Sequence, residues 1–145
     1  MENTPVLRLD RAYVGEIIAH AREEAPNECC GIIAGHDGCP VKLFRAVNAQ
    51  ASPYLYEVES QDLFRINKEI EDSGWDVLAI YHSHIEAEAY PSPTDIRLAA
   101  WPQAYYLIVS LVDQANPKLR AFRIRDGQVS EEELDIVDAN RPARE

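Results

Sequence analysis

The chain has 145 residues, 46% of them apolar and 27% charged, with a formal net charge of −11. That composition excludes a disordered or fibrous chain, and an acidic surface repels phosphate backbones, so nucleic acid is not an expected partner. No apolar run approaches the roughly 18 residues of a membrane span, and Met1 to Pro5 lacks the basic and apolar regions of a signal peptide; a soluble, cytoplasmic protein without a membrane partner is expected.

Leu7 to Leu9 reads as a short extended lead-in, and Asp10 suits an N-cap. Val14, Ile17, Ile18 and Ala21 recur at helical spacing, so an amphipathic helix is expected from residue 11 to about 24, stopped by Pro26. His20 and His36 have no partner close in sequence and are expected to be solvated or locally hydrogen-bonded. Cys30 to Gly35 is an apolar run with glycines near its ends, the pattern of a buried strand, and Asp37-Gly38 turns it into a hairpin with Val41 to Val47. Glu28 stands just before that strand, where a glutamate is usually just solvated, and composition alone does not single it out. Cys29, Cys30 and Cys39 form neither a disulfide framework nor a CxxC knuckle and are expected to be buried or half-buried thiols.

A loop over 48–54 leads to a short strand from Tyr54 to Val58. Ser60 is the expected cap of a second helix carrying Leu63, Ile66 and Ile70 on one face, ended by Ser73-Gly74. Val77 to Tyr81 is apolar on both faces, which marks a central strand covered on both sides. A third helix is expected from Ser92 to about Ala100, an apolar strand from Tyr105 to Val112, and a last hairpin from Lys118–Arg125 and Gln128–Val137 around Asp126-Gly127. Residues 138–145 are polar and expected to fray. Helices alternate with strands and hairpins, so the expected fold class is α/β, a mixed sheet flanked by helices in one domain spanning 1–145.

His82 and His84 sit two residues apart at the end of the central strand, so their side chains share a face. Their Cα atoms lie roughly 6.5–7 Å apart in a strand, a span at which two imidazoles can converge on one ion. Ser92-Pro93-Thr94-Asp95 is a complete helix start, and taken alone it favours capping over catalysis for Ser92 and Asp95. The two histidines are harder to account for without a metal, because buried ring nitrogens need partners. Two imidazoles and a carboxylate suit zinc and leave a fourth tetrahedral position open.

His82-Ser83-His84, seven residues, Ser92, two residues and Asp95 resembles the H-[ST]-H-x7-S-x2-D motif of the JAMM (MPN-plus) zinc metalloproteases. The likeness extends over nearly the whole chain and is strongest to the bacterial branch, through Glu28-Cys29-Cys30-Gly31 and Glu88-Ala89-Tyr90-Pro91-Ser92. Ile85 departs from it, where relatives often carry proline or threonine, and bears on substrate fit more than on metal binding. The resemblance implies a JAMM/MPN, cytidine-deaminase-like architecture, with His82, His84 and Asp95 holding Zn2+, Glu28 as general base and Ser92 as donor to the oxyanion. It implies hydrolysis of the amide bond after the Gly-Gly end of a small ubiquitin-like sulfur carrier, releasing cysteine from a carrier–cysteine adduct in cysteine biosynthesis. Two rivals follow from the same family: an isopeptidase that strips ubiquitin-like modifiers from lysines, and a non-catalytic MPN scaffold. Zinc-dependent deamination lacks its His-x-Glu and Pro-Cys-x-x-Cys signature. An oligomer is compatible with the sequence, which specifies no pairing of edges.

Overall fold

Two strands without a solvent-facing side organise the sheet. β5 (Tyr105–Ser110) is buried at every residue, and β4 (Asp76–His84) is buried from Ala79 to its end. They pair in parallel at the centre, as expected of strands that are apolar on both faces. The computed structural model describes residues 6–138. The remaining elements are β1 (Val6–Asp10), α1 (Arg11–Glu24), β2 (Cys30–His36), β3 (Cys39–Ala46), α2 (Ser60–Asp72), α3 (Pro93–Leu98), β6 (Lys118–Arg125) and β7 (Gln128–Val137). The seven strands form one sheet in the order β1-β7-β6-β5-β4-β2-β3. β1 with β7 and β4 with β5 are parallel, and the other neighbours are antiparallel. The sheet is therefore mixed, as expected. The expected frayed tail lies outside the described residues beyond Asp138. No helix among the described residues is long and apolar enough to cross a membrane.

Alternation along the strands sends two apolar sets to opposite faces. On one, Ile17 and Ala21 of α1 pack against Ile33, Tyr81, Leu107 and Val109. On the other, Ile66 and Ile70 of α2 and Ile96 of α3 pack against Ile32, Ile80, Ile108 and Phe122. Each such aliphatic side chain contributes roughly 1.5–3 kcal/mol when fully buried. His82 and His84 continue the parity of Ile80 and so face the side of α2 and α3.

Several expectations shift. Ser60 does not cap α2: Glu59 does, its carboxylate accepting from the Asp62 N–H at 2.9 Å. The expected strand from Tyr54 to Val58 is irregular chain with a single bridge between Asn48 and Val58, because the Asn48 side chain takes backbone groups that a neighbouring strand would have paired. α3 ends at Leu98 rather than near Ala100, since the N–H groups of Ala100 and Trp101 turn to the Tyr106 hydroxyl at 3.0 and 2.9 Å. Cys39 is exposed, at the start of the edge strand β3, whereas Cys29 and Cys30 are buried. Burial pushes both of those thiols up to about 12, which leaves them protonated and unreactive near neutral pH.

His20 is buried, with only 3% of its surface exposed, and its Nδ1 lies 2.7 Å from the Tyr81 hydroxyl. Its place three residues beyond Ile17, on the apolar stripe of α1, was the available sign. Burial pushes its pKa down from 6.5 to about 4, with the Arg45 guanidinium adding to the effect and Glu23 opposing it. The unfolded chain takes up this proton at higher pH than the folded one. The stability that neutral His20 contributes is therefore complete above pH 6.5 and falls as the pH drops towards 4. His20→Gln removes this titration, so its melting temperature should fall less than the parent's between pH 6.5 and 4; parallel melting curves would refute the assignment.

Candidate metal centre

β4 ends on His82-Ser83-His84, and antiparallel pairing with β2 sets Cys30 opposite His82. Ser83 points to the opposite face, where its hydroxyl accepts from the Cys29 N–H at 2.8 Å. This bond fixes the segment that carries Glu28. α3 starts across the mouth of the strand with a full capping box: Ser92 Oγ accepts from the Asp95 N–H at 3.0 Å, and Asp95 Oδ2 accepts from the Ser92 N–H at 2.9 Å. The cap turns the Asp95 carboxylate back over the two histidines.

His82 Nε2, His84 Nε2 and Asp95 Oδ2 form a triangle with edges of 3.2, 3.1 and 3.0 Å. Donors on a tetrahedral ion with bonds of about 2.0–2.1 Å stand about 3.3 Å apart, so the triangle is close to one face of such a site. These three side chains form the one group of its kind among the described residues that could hold a metal ion.

The protons support the same reading. His84 Nδ1 lies 2.8 Å from the Glu88 carbonyl oxygen, which only accepts, so Nδ1 carries a proton. Neutral His84 then aims an Nε2 lone pair at the Asp95 carboxylate. Electron-rich atoms at this spacing require a proton or a cation between them. Without a cation, burial would lower the His84 pKa, but Asp95 and the Glu88 carbonyl outweigh burial and raise it. Burial disfavours charge on Asp95 too, yet both imidazoles and the Ser92 N–H hold its pKa far below the usual carboxylate range. At His82, burial prevails over Asp95 and the pKa is lowered.

Glu28 is only 3% exposed, and its Oε1 has no hydrogen-bond partner among the described residues. Burial pushes its pKa up to about 8; His84 opposes the shift and Asp95 adds to it, which places the carboxyl in the electrostatic reach of the centre. Its backbone is pinned on both sides: the N–H donates to Ser52 O at 2.8 Å, and the carbonyl accepts from Asn48 Nδ2 at 3.0 Å. A cavity of ≈ 400 Å³, lined by Ile32, Leu55, Tyr56, Leu98 and Trp101 among others, opens beside Asp95.

The structure thus gathers His82, His84 and Asp95 at one point, with Ser92 as the cap of the Asp95 helix and Glu28 as a buried carboxyl within their field. Two neighbours of this group leave no mark in the sequence. Tyr56 stacks on His82, and Asn48 holds the Glu28 carbonyl. Neither bears a spacing signal, since Asn in a loop and Tyr in an apparent strand are commonplace.

A mixed seven-stranded sheet with helices on both faces is the fold of JAB1/MPN/JAMM domains. The chain superposes on a solution structure of a Desulfitobacterium hafniense protein with a TM-score of 0.82 and 32% identity, over 92% of this chain and 94% of that one. A JAMM domain described by its metalloprotease-like zinc site gives a TM-score of 0.56 at 19% identity, over 92% and 99%. Residues 10–125 match the family of prokaryotic homologs of the JAB domain, and the chain belongs to that family. It is 40% identical over 135 residues to the CysO-cysteine peptidase of Mycobacterium tuberculosis, covering 92% of this chain and 91% of the relative. It is 41% identical over 101 residues to a desampylase of Haloferax volcanii, covering 65% and 73%. A probable TtuB-protein conjugate cleaving protease of Thermus thermophilus is 34% identical over 124 residues, covering 85% and 79%.

Proposed function

We propose that this protein is a zinc metallopeptidase that cuts the amide bond after the Gly-Gly end of a small ubiquitin-like sulfur carrier, releasing cysteine from a carrier–cysteine adduct in cysteine biosynthesis. The observation that carries the reading is the convergence of His82, His84 and Asp95 beside buried Glu28, in a chain 40% identical to a CysO-cysteine peptidase. His82, His84 and Asp95 are the proposed ligands, and two imidazoles with one carboxylate suit zinc. Zinc held there supplies a Lewis acid and lowers the pKa of water to about 7. The remaining chemistry belongs to the chain. Glu28 takes a proton from the attacking water and returns it to the leaving amine. Its carboxyl, pushed up to about 8 by burial, releases its own proton more readily beside added positive charge. The Ser92 Oγ uses a lone pair to cap α3, which leaves its O–H free to donate to the oxyanion developing on the scissile carbonyl. Cap and catalyst are therefore compatible roles for one hydroxyl. Glu88 fixes the His84 tautomer, as partners behind metal ligands do.

The similarity to a desampylase and to a TtuB-protein conjugate cleaving protease favours a second reading, in which the amine is a lysine side chain. The intact ligand set and the buried carboxyl support catalysis over a scaffold role. The purified chain should hold about one zinc, as a single site requires. Mass spectrometry should show a carrier ending in Gly-Gly-Cys losing its cysteine faster than a carrier–lysine conjugate is cleaved. The reverse order would select the second reading, and metal analysis finding no zinc would remove both.

A further inference from the structure

The two imidazoles are held by different means. His84 Nδ1 is tied to the Glu88 carbonyl at 2.8 Å, whereas His82 Nδ1 is buried with no hydrogen-bond partner among the described residues. A ligand ring without that bond keeps one rotational freedom, which its surroundings must restrict. Tyr56 does so. Its ring lies 4.3 Å from that of His82, centroid to centroid, and 20° from parallel. A flat partner at this distance selects the plane of the imidazole and so the direction of Nε2.

Tyr56 lies in the irregular segment between β3 and α2, which no sheet ladder holds. Asn48 holds it. The Asn48 Nδ2 donates to Leu55 O at 3.1 Å and to Glu28 O at 3.0 Å, and its Oδ1 accepts from Glu57 N at 3.0 Å and Gln50 N at 3.0 Å. An asparagine amide offers two donor protons and an oxygen with two lone pairs, so this side chain is saturated. The bonds to Leu55 and Glu57 fix the residues on each side of Tyr56. The bond to Glu28 fixes the residue that carries the buried carboxyl.

We propose that Asn48 and Tyr56 are positioning residues of the centre: Asn48 fixes the backbone around Tyr56, and the Tyr56 ring holds the unanchored imidazole of His82 so that its Nε2 meets His84 and Asp95. This rests on the metal reading of the centre. Partners behind metal ligands typically govern about 10–100-fold in affinity. Here a stacked ring does the work usually done by a hydrogen bond, and one amide serves both the ligand side and the Glu28 side.

The test measures zinc affinity of the full chain by competition with a chromophoric chelator, together with the visible spectrum of the cobalt(II)-loaded protein, which reports ligand geometry. Tyr56→Phe keeps the ring and should bind zinc within about threefold of the parent with the parent's cobalt spectrum. Tyr56→Met fills similar space without a flat face and should lose roughly 10–100-fold in affinity, with an altered spectrum. Asn48→Asp keeps the acceptors, loses both donors and should fall in the same direction, so the proposal does not depend on one variant folding. If Tyr56→Met and Asn48→Asp both match the parent in affinity and spectrum, the proposal is overturned while the metal reading stands. A parent that binds no zinc overturns both.

Discussion

Glu28→Gln should lower turnover by roughly 10²–10⁴-fold, the usual contribution of a positioned acid–base group, while the protein still holds about one zinc. The separation follows from the geometry. The proposed ligand triangle is complete in His82, His84 and Asp95, and Glu28 is not part of it. Glutamine preserves size and removes only the ability to accept and return a proton. A second readout comes from the metal-free protein. Burial raises the folded pKa of Glu28 from 4.5 to about 8. The unfolded chain thus releases the proton first, and the parent's stability declines as the pH rises from 4.5 towards 8. Without metal, Glu28→Gln should melt close to the parent near pH 4.5 and above it at pH 8. The gain at pH 8 should be on the order of 2–4 kcal/mol. A variant that cleaves at the parent's rate would show that Glu28 is not the base. A variant that gains nothing in stability at pH 8 would show that its carboxyl is not strained by burial.

The site was more legible in the sequence than the sheet. His82, His84, Ser92 and Asp95 lie within one short stretch, where strand parity and capping chemistry are local properties. Glu28 was different: nothing in its neighbourhood marks a buried carboxyl, and only likeness to a family pointed to it. α1, α2 and the central strands followed from periodicity. The parallel pairing of β1 with β7 joins opposite ends of the chain and leaves no local mark. Asn48 acts through backbone atoms of Glu28, Gln50, Leu55 and Glu57, and a side chain's choice of backbone partners is set by the tertiary path of the chain, not by its neighbours in sequence. The same cause undid the strand expected at Tyr54 to Val58.

Gly31→Ala should be strongly destabilising, because of the glycines described it is the one where an added methyl would meet the closest neighbour. Gly31 pairs with Tyr81 across β2 and β4, and a Cβ built on it would overlap Cε2, Cζ and the hydroxyl of the Tyr81 ring. The far end of a side chain can often swing away, but this one cannot do so cheaply. Tyr81 is fully buried, packed among Ile17, Ala21, Ile33 and Leu107, and its hydroxyl is bonded to His20. Moving the ring costs roughly 1–3 kcal/mol of overpacking and a further ~1–3 kcal/mol for the buried partners left unpaired. The melting temperature should drop by roughly 8–15 °C for a chain of this size. Tyr81→Leu withdraws the ring tip from the space the new methyl enters. The double variant should therefore be less destabilised than the sum of the single ones, by about 1 kcal/mol or more. A Gly31→Ala protein melting within about 2 °C of the parent would show that the ring moves freely. The consequence reaches the site, because the β2–β4 pairing that brings Gly31 against Tyr81 also sets Cys30 opposite His82 and carries Glu28 to the end of β4. Close approach at Gly31 is thus one condition for the register that assembles the centre.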